Sequence, residues 1–402
     1  MTFDEIKFFL HNRNLSRYEN IHFTNFLAAV EFQYHLPTIH ITGTNGKSSV
    51  ANFISNIYRK EYQVGVFVSP FVSSYLDMIM VNGVCIKEAE FAEIFNKYAE
   101  KFVSYDLSEF EIVTFIALQY FLSKKIQLAI VEAGMGGKID ATNIFANVLT
   151  IITTISLEHT EYLGRTPGEI AVNKGGLISQ YSEVLVGSID DDSKDILYQM
   201  TKKLKSNFHQ INDYVLHSSL DGVLLFDYLP FKNLRLAAPK YQLINASLAI
   251  EAIKILMNSF PVSLVSIQAA FNEALLPLRF ERIDNIILDG AHNPEAIDSL
   301  VDSLDKSKHY VVLFAAFKDK NVEKMLSILS REVDKIYLTT FDHVRARDEE
   351  SYFLFLNDYE FVTDYQAIIK QYHNDPDIIL LVTGSLAFTS LIRGILSEKN
   401  NH

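Results

Sequence analysis

A lysine and a serine closing a glycine-bounded loop suit one task above others, the holding of a polyphosphate. Here the apolar run Thr38-Ile39-His40-Ile41-Thr42 leads into Gly43-Thr44-Asn45-Gly46-Lys47-Ser48, and a helical pattern opens directly after it. Backbone N–H groups of such a loop and the positive end of the following helix surround phosphate oxygens, while Lys47 adds a point charge and Ser48 a hydroxyl for Mg2+. Gly43 and Gly46 admit backbone angles and close approaches that a side chain blocks. Two residues separate those glycines, fewer than in the general G-x-x-x-x-G-K-[ST] pattern. A bare Gly-Lys-Ser is no more than a surface turn; the strand before it, the helix after it and Thr44-Asn45 within it point to a phosphate cradle.

Other groups with chemistry to offer lie at the ends of predicted elements. Glu132 follows the apolar run Leu128-Ala129-Ile130-Val131, where a sheet that carries a phosphate loop holds metal-bound nucleotide. A solvated strand end is the plain alternative. Thr166-Pro167-Gly168-Glu169 is a capping box with proline at the first helical position, and Gly175-Gly176 can end that helix, which holds Lys174 at its terminus. In Asp289-Gly290-Ala291-His292-Asn293-Pro294, Asn293 can cap a helix that Pro294 begins. Asp289 can accept from a ribose, bind metal, or merely turn the chain.

The elements that must position these groups read as alternating strands and helices. Helical spacing of Ile6, Phe9 and Leu10, then of Phe23, Phe26, Leu27 and Val30, predicts short helices in the first forty residues, beside the nucleotide-binding part. Further strands are expected over 62–68, 128–131, 148–155 and 184–186, helices over 50–59, 87–102, 110–122 and 245–257, and a hairpin around Asp221-Gly222. From Ile286 a second alternation begins, with strands at 286–288, 310–314, 335–339 and 378–383. The chain of 402 residues is thus α/β, with a parallel-sheet domain over 1–282 and a smaller α/β domain over 283–402.

Composition narrows the function. A formal net charge of -13 argues against a general nucleic-acid binder, so an anionic ligand must meet locally placed Lys, Arg, metal or helix ends. The single cysteine, Cys85, excludes an internal disulfide and fits a reducing compartment. The acidic, amphipathic start is unlike a secretory signal, and the apolar runs near 148–157 and 378–382 are too short to span a bilayer. A cytoplasmic location without membrane partners is expected.

The segments 41–48, 134–143 (Gly-Met-Gly-Gly-Lys-Ile-Asp-Ala-Thr-Asn), 158–164 (Glu-His-Thr-Glu-Tyr-Leu-Gly), Arg279-Phe280-Glu281 and 289–294 together resemble the folylpolyglutamate synthase/dihydrofolate synthase family, a branch of the Mur ligase superfamily. They stand in that family's order and span nearly the whole chain. The resemblance implies a P-loop domain of the Mur ligase central type followed by a Rossmann-like C-terminal domain. It implies an ATP-dependent amide ligase that joins L-glutamate to dihydropteroate, to a reduced folate, or to both, through an acyl phosphate. It further implies that Gly43, Thr44, Asn45, Gly46, Lys47 and Ser48 hold phosphates, and that Ser69 and Glu132 ligate one Mg2+. His159 and Lys174, the lysine as a carbamate, would serve a second Mg2+, with Lys47, His159 and Lys174 the catalytic set. Asn245 and Arg279 would contact nucleotide from the first domain, and Asp289 and His292 would close on it from the second. The family suggests a monomer.

Several positions depart from the family pattern: Leu278 for glycine, Tyr241 for histidine, Asp77-Met78 for Glu-Arg, Lys138 for arginine, Asn173 for glutamate and Glu158 for aspartate. None removes a proposed metal ligand; Asp77-Met78 and Lys138 bear on substrate preference. Two other classes stay open on the residues alone. A Mur-type ligase acting on a cell-wall or other peptide precursor matches the 140–143 and 279–281 segments less well. A P-loop phosphotransferase or nucleotide-driven switch leaves the second domain's Asp-Gly-Ala-His-Asn-Pro unexplained.

Overall fold

In the computed structural model, which describes residues 1–13, 20–220, 222–272, 277–373 and 375–399, the alternation resolves into two compact units. The first comprises Met1–Ala237 and Gln242–Ala274, the second Ala238–Tyr241 and Leu275–His402.

The first unit is built on an eight-stranded sheet of β1 (Thr38–Thr42), β2 (Val64–Phe67), β3 (Ile79–Val81), β4 (Val84–Cys85), β5 (Leu128–Glu132), β6 (Leu149–Ile152), β7 (Glu183–Val186) and β8 (Asn207–Gln210), in the order β4-β3-β2-β5-β1-β6-β7-β8. All pairs from β2 to β8 along that order are parallel, and β3 and β4 extend it antiparallel. Every residue of β1, β2, β5 and β6 is buried, as expected of parallel strands covered on both faces, and in β1 that burial takes in the polar Thr38, His40 and Thr42. The chain lays β2 and β5 on one side of β1 and β6 to β8 on the other, so strand order reverses at β1. In open parallel sheets, ligands settle at the carboxyl ends of the strands at such a reversal.

Helices Phe3–His11, Ile21–Ala29, Glu88–Ser104 and Glu109–Ser123 share one core with Phe67, Ala129 and Val131 of the sheet. Its centre is aromatic: the buried Phe26 ring has Phe115 at 4.8 Å, Phe102 at 5.4 Å and Tyr105 at 6.1 Å between centroids. Replacing Phe26 by Ala removes the ring that the other three enclose, and is expected to lower the unfolding free energy by about 3–5 kcal/mol. A fall in the denaturant midpoint of the purified variant checks this; an unchanged midpoint contradicts the packing. A separate antiparallel sheet of β9 (Val215–Leu220), β10 (Val223–Tyr228) and β11 (Phe231–Ala237) contains the expected hairpin. Gly222 there has a left-handed φ of +74°, whereas Asp221 lies outside the described residues.

The second unit carries a six-stranded sheet of β12 (Glu281–Ile283), β13 (Ile286–Leu288), β14 (His309–Phe314), β15 (Lys335–Leu338), β16 (Glu360–Phe361) and β17 (Ile378–Thr383), in the order β12-β13-β17-β14-β15-β16. The expected division at 282/283 cuts through this unit, which already holds Leu275 onward and takes in Ala238–Tyr241. Pairing explains the difference: Glu281 lies opposite Leu288 in an antiparallel β12–β13 ladder, and the Gly290 N–H donates to Leu278 O at 2.9 Å. Among the described residues no helix is long and apolar enough to cross a membrane.

Candidate active site

The loop 43–48 leaves the carboxyl end of β1, and Lys47 begins the helix Lys47–Tyr58 behind a left-handed Gly46 at φ +88°. A Cβ at Gly46 would lie 2.3 Å from the Asn245 Oδ1, so glycine there is required both by the turn and by its neighbour. Asn245 is held in turn: its Nδ2 donates to Gln242 Oε1 at 2.8 Å, and Gln242 Nε2 donates to Ser49 Oγ at 3.2 Å. The helix Gln242–Leu256 thereby braces the loop from the side. The Lys47 ammonium donates to Gly43 O at 2.9 Å and Thr44 O at 3.1 Å, lying over its own loop where phosphate oxygens would compete for it.

Oxygen ligands gather at the same sheet edge. Ile41 of β1 is in register with Glu132 of β5, and Phe67 of β2 with Val131, so the loop, Ser69 and Glu132 leave adjacent parallel strands together. The Ser48 hydroxyl donates to Glu132 Oε2 at 2.8 Å, and both Glu132 and Ser69 are buried. A hydroxyl and a carboxylate on neighbouring strand ends suit a hard divalent cation such as Mg2+. His159, at φ +49°, sets its Nε2 3.7 Å from Glu158 Oε1 ahead of the short helix Thr160–Leu163. Among the described residues no group of three or more His, Cys, Asp or Glu is placed to hold a metal ion.

Lys174 stands in the last turn of the helix Pro167–Gly175, whose capping box from Thr166 and Glu169 forms as the sequence predicts. The closing Gly176 is right-handed, φ -61°, rather than the left-handed cap that glycine often supplies. Only 2 % of Lys174 is exposed. Burial, with the neighbouring Lys47 charge second, brings its ammonium pKa down to about 7. Asn173 fastens this helix to the loop after β5: Gly137 N–H donates to Asn173 Oδ1 at 3.1 Å and Lys138 N–H to Asn173 O at 2.9 Å. The other side of that loop is pinned by Asp140, which accepts from Met135 N–H at 2.7 Å and from the Thr142 hydroxyl at 2.5 Å. His40 Nε2–H donates to Thr142 Oγ1 at 2.8 Å, and burial lowers the His40 pKa to about 3, which keeps the imidazole neutral. Burial raises the Asp140 carboxyl pKa, opposed by these hydrogen bonds.

In the second unit, Asp289 and His292 follow β13 at the carboxyl end of its parallel pairing with β17. Asp289 is buried and engaged on both oxygens: Oδ2 accepts from the Tyr241 hydroxyl and from Phe280 N–H, each at 2.8 Å, and Oδ1 from Ala291 N–H at 2.9 Å. Burial raises its pKa, and the Arg279 charge opposes that rise most. His292 Nδ1–H donates to Gly290 O at 2.8 Å, which fixes the orientation of the ring. Arg279 was expected to act from the first domain; it lies in the second unit, where its Nη1 donates to Leu278 O at 3.0 Å. Asn293 caps the helix Pro294–Val301 as expected, accepting from Ala296 N–H at 2.9 Å.

Lys47, Ser48, Glu132 and Asn245 are therefore joined around one loop in the first unit, with Lys174 electrostatically coupled to Lys47, and Arg279, Asp289 and His292 form a separate group in the second. A parallel sheet with a phosphate loop at its reversal point, followed by a second α/β unit, is the architecture of a Mur-type ligase. The Mur ligase middle domain matches residues 41–250, and the Mur ligase glutamate ligase domain matches 278–386. The dihydrofolate synthetase of Saccharomyces cerevisiae is 30% identical, covering 78% of this chain and 79% of its own. The dihydrofolate synthase/folylpolyglutamate synthase of Bacillus subtilis is 28% identical, covering 88% and 89%. The solved folylpolyglutamate synthase of Thermotoga maritima superposes with a TM-score of 0.85 over 98% of this chain and 96% of that one, at 26% identity. The chain belongs to the dihydrofolate synthase/folylpolyglutamate synthase family of Mur ligases. It is accordingly an ATP-dependent ligase that forms amide bonds.

Proposed function

We propose that this ligase joins L-glutamate to dihydropteroate and to tetrahydrofolate and its glutamates, a bifunctional dihydrofolate synthase and folylpolyglutamate synthase. A carboxylate is a poor electrophile, so its oxygen first attacks the γ-phosphorus of ATP, giving an acyl phosphate and ADP. The glutamate amine then adds to the acyl carbon, and the tetrahedral intermediate collapses with loss of phosphate and a proton. Positioning and charge neutralisation carry such phosphoryl transfers. In this scheme Lys47 and the loop 43–48 hold the β- and γ-phosphates, and Asn245, Arg279, Asp289 and His292 address the rest of the nucleotide. Ser69 and Glu132 are the ligands we assign to one Mg2+, and His159 with Lys174 as a carbamate to a second. Bound Mg2+ supplies charge neutralisation at the phosphates.

The observation that carries this reading is the Ser48–Glu132 pair at 2.8 Å beside the Lys47 loop. It joins a phosphate-holding turn to a cation-holding carboxylate. The ATP-binding part is assigned to the first domain and the remainder to the Mur-type C-terminal domain, in a monomeric cytoplasmic enzyme. Asp77-Met78 and Lys138 are the positions expected to tune acceptor choice. Phosphate release from ATP tests the scheme: it is expected to require glutamate and a pteroate or folate acceptor together. Release that needs a peptide acceptor instead indicates a peptide-precursor ligase, and release with neither acceptor nor glutamate indicates a phosphotransferase or nucleotide switch.

A further inference from the structure

The segment directly after β6 is stitched to the phosphate loop residue by residue. The Thr44 N–H donates to Thr154 O at 2.9 Å, and the Asn45 N–H to Thr154 Oγ1 at 2.9 Å. In return the Thr153 and Thr154 hydroxyls donate to Asn45 O at 2.6 and 3.3 Å. The Ser156 N–H closes the series on Thr44 Oγ1 at 3.1 Å. Thr153 is packed directly against two glycines, since a Cβ at Gly43 would lie 1.9 Å from its Oγ1 and one at Gly187 would lie 2.1 Å from its carbonyl oxygen. The loop and the segment are thus bonded and packed together as one unit.

Two consequences follow from donors and connectivity. The Thr44 and Asn45 amides are turned toward Thr154, so the amides left to face an anion begin at Gly46, where the helix Lys47–Tyr58 starts. Along the chain, the stitched segment runs straight into Glu158 and His159, and the left-handed φ of +49° at His159 leaves that turn little slack. Resting on the nucleotide and cation assignments above, we propose that Thr154 is a positioning residue. Its hydroxyl aims the phosphate loop and, through the same strut, sets the Glu158–His159 turn, so that nucleotide binding and the placement of His159 are coupled.

Thr154→Val keeps the side-chain volume and removes the hydroxyl, which leaves the Asn45 amide without its acceptor. The KM for ATP is expected to rise about tenfold, with the KM for glutamate unchanged. Thr154→Ser restores the hydroxyl and should recover most of the loss; Thr154→Ala serves as the second hydroxyl-free variant should Val disturb folding. In the double variant with His159→Ala, the combined loss should be smaller than the product of the single losses, as for coupled positions. An unchanged KM for ATP in both hydroxyl-free variants, a Ser variant as impaired as Val, or strictly multiplicative losses would each overturn the proposal. Lys47→Ala measured alongside separates the two levels. If it impairs ATP use and Thr154→Val does not, the positioning role fails; if Lys47→Ala itself leaves ATP use intact, the nucleotide assignment fails and the positioning role with it.

Discussion

Lys47→Ala is expected to lower turnover about 100- to 1,000-fold, the cost of removing one preorganised group that stabilises developing charge. The ammonium is half-buried and donates to carbonyls of its own loop, Gly43 O and Thr44 O, so its loss withdraws charge from phosphate without opening the core. Melting temperature should therefore be close to that of the parent while kcat collapses. A purified, folded variant with near-normal turnover would show that the loop does not cradle the transferred phosphate.

On the proposed cation role, Lys174→Arg and Lys174→Ala are each expected to cost about 10- to 100-fold in kcat. An ordinary lysine is neutral in roughly one molecule in a few thousand at pH 7. With its pKa brought down to about 7 by burial, about half of the Lys174 amines are neutral there. A neutral amine adds to CO2: the N–C bond forms, a proton leaves to solvent, and a cation becomes an anion with two oxygens fit for Mg2+. Because the neutral fraction grows as pH rises through about 7, the carbamate and the activity that depends on it should fade on the acid side. Depleting CO2 and bicarbonate should lower activity and their return should restore it. Arginine cannot form the carbamate, so it should fail although it keeps the charge. Activity indifferent to CO2, together with a competent Arg variant, would identify Lys174 as a plain cation beside phosphate.

How much of this was legible beforehand depended on whether the determinant was local. The phosphate loop, the Thr166–Glu169 capping box and the Asn293 cap are specified within a few residues, by glycines, a proline and short hydrogen-bonding side chains, and they formed where their types and spacing placed them. The buried strand β5 was equally plain as an apolar run, and β1 and β6 were legible from their isoleucines and leucine although Thr38, His40, Thr42 and Thr150 interrupt them. The short strands β4, β12 and β16 were not, because they carry too little pattern and exist through the partner they pair with. The same reason moved the division of the chain: Leu278, Glu281 and Tyr241 join the second unit through bonds to Gly290, Leu288 and Asp289, none of which local composition reveals. The stitching of Thr44 and Asn45 to the Thr153–Thr154 pair links positions more than a hundred residues apart. Its one sequence signal is two hydroxyls directly after a buried strand. Asn173 and Tyr241 stood out as departures from the family pattern, and each proves to carry a specific bond, Asn173 to the loop after β5 and Tyr241 to Asp289.

Mass spectrometry of the products, after dihydropteroate and tetrahydrofolate are each offered separately with ATP, Mg2+ and glutamate, tests the proposed ligation most directly. Each acceptor should gain glutamyl residues in amide linkage, with one ADP and one phosphate released per residue added. Product from one acceptor alone would confine the enzyme to one of the paired activities. Acceptors returned at their original mass by a folded enzyme, with ATP consumed or not, would contradict glutamate ligation to folates altogether.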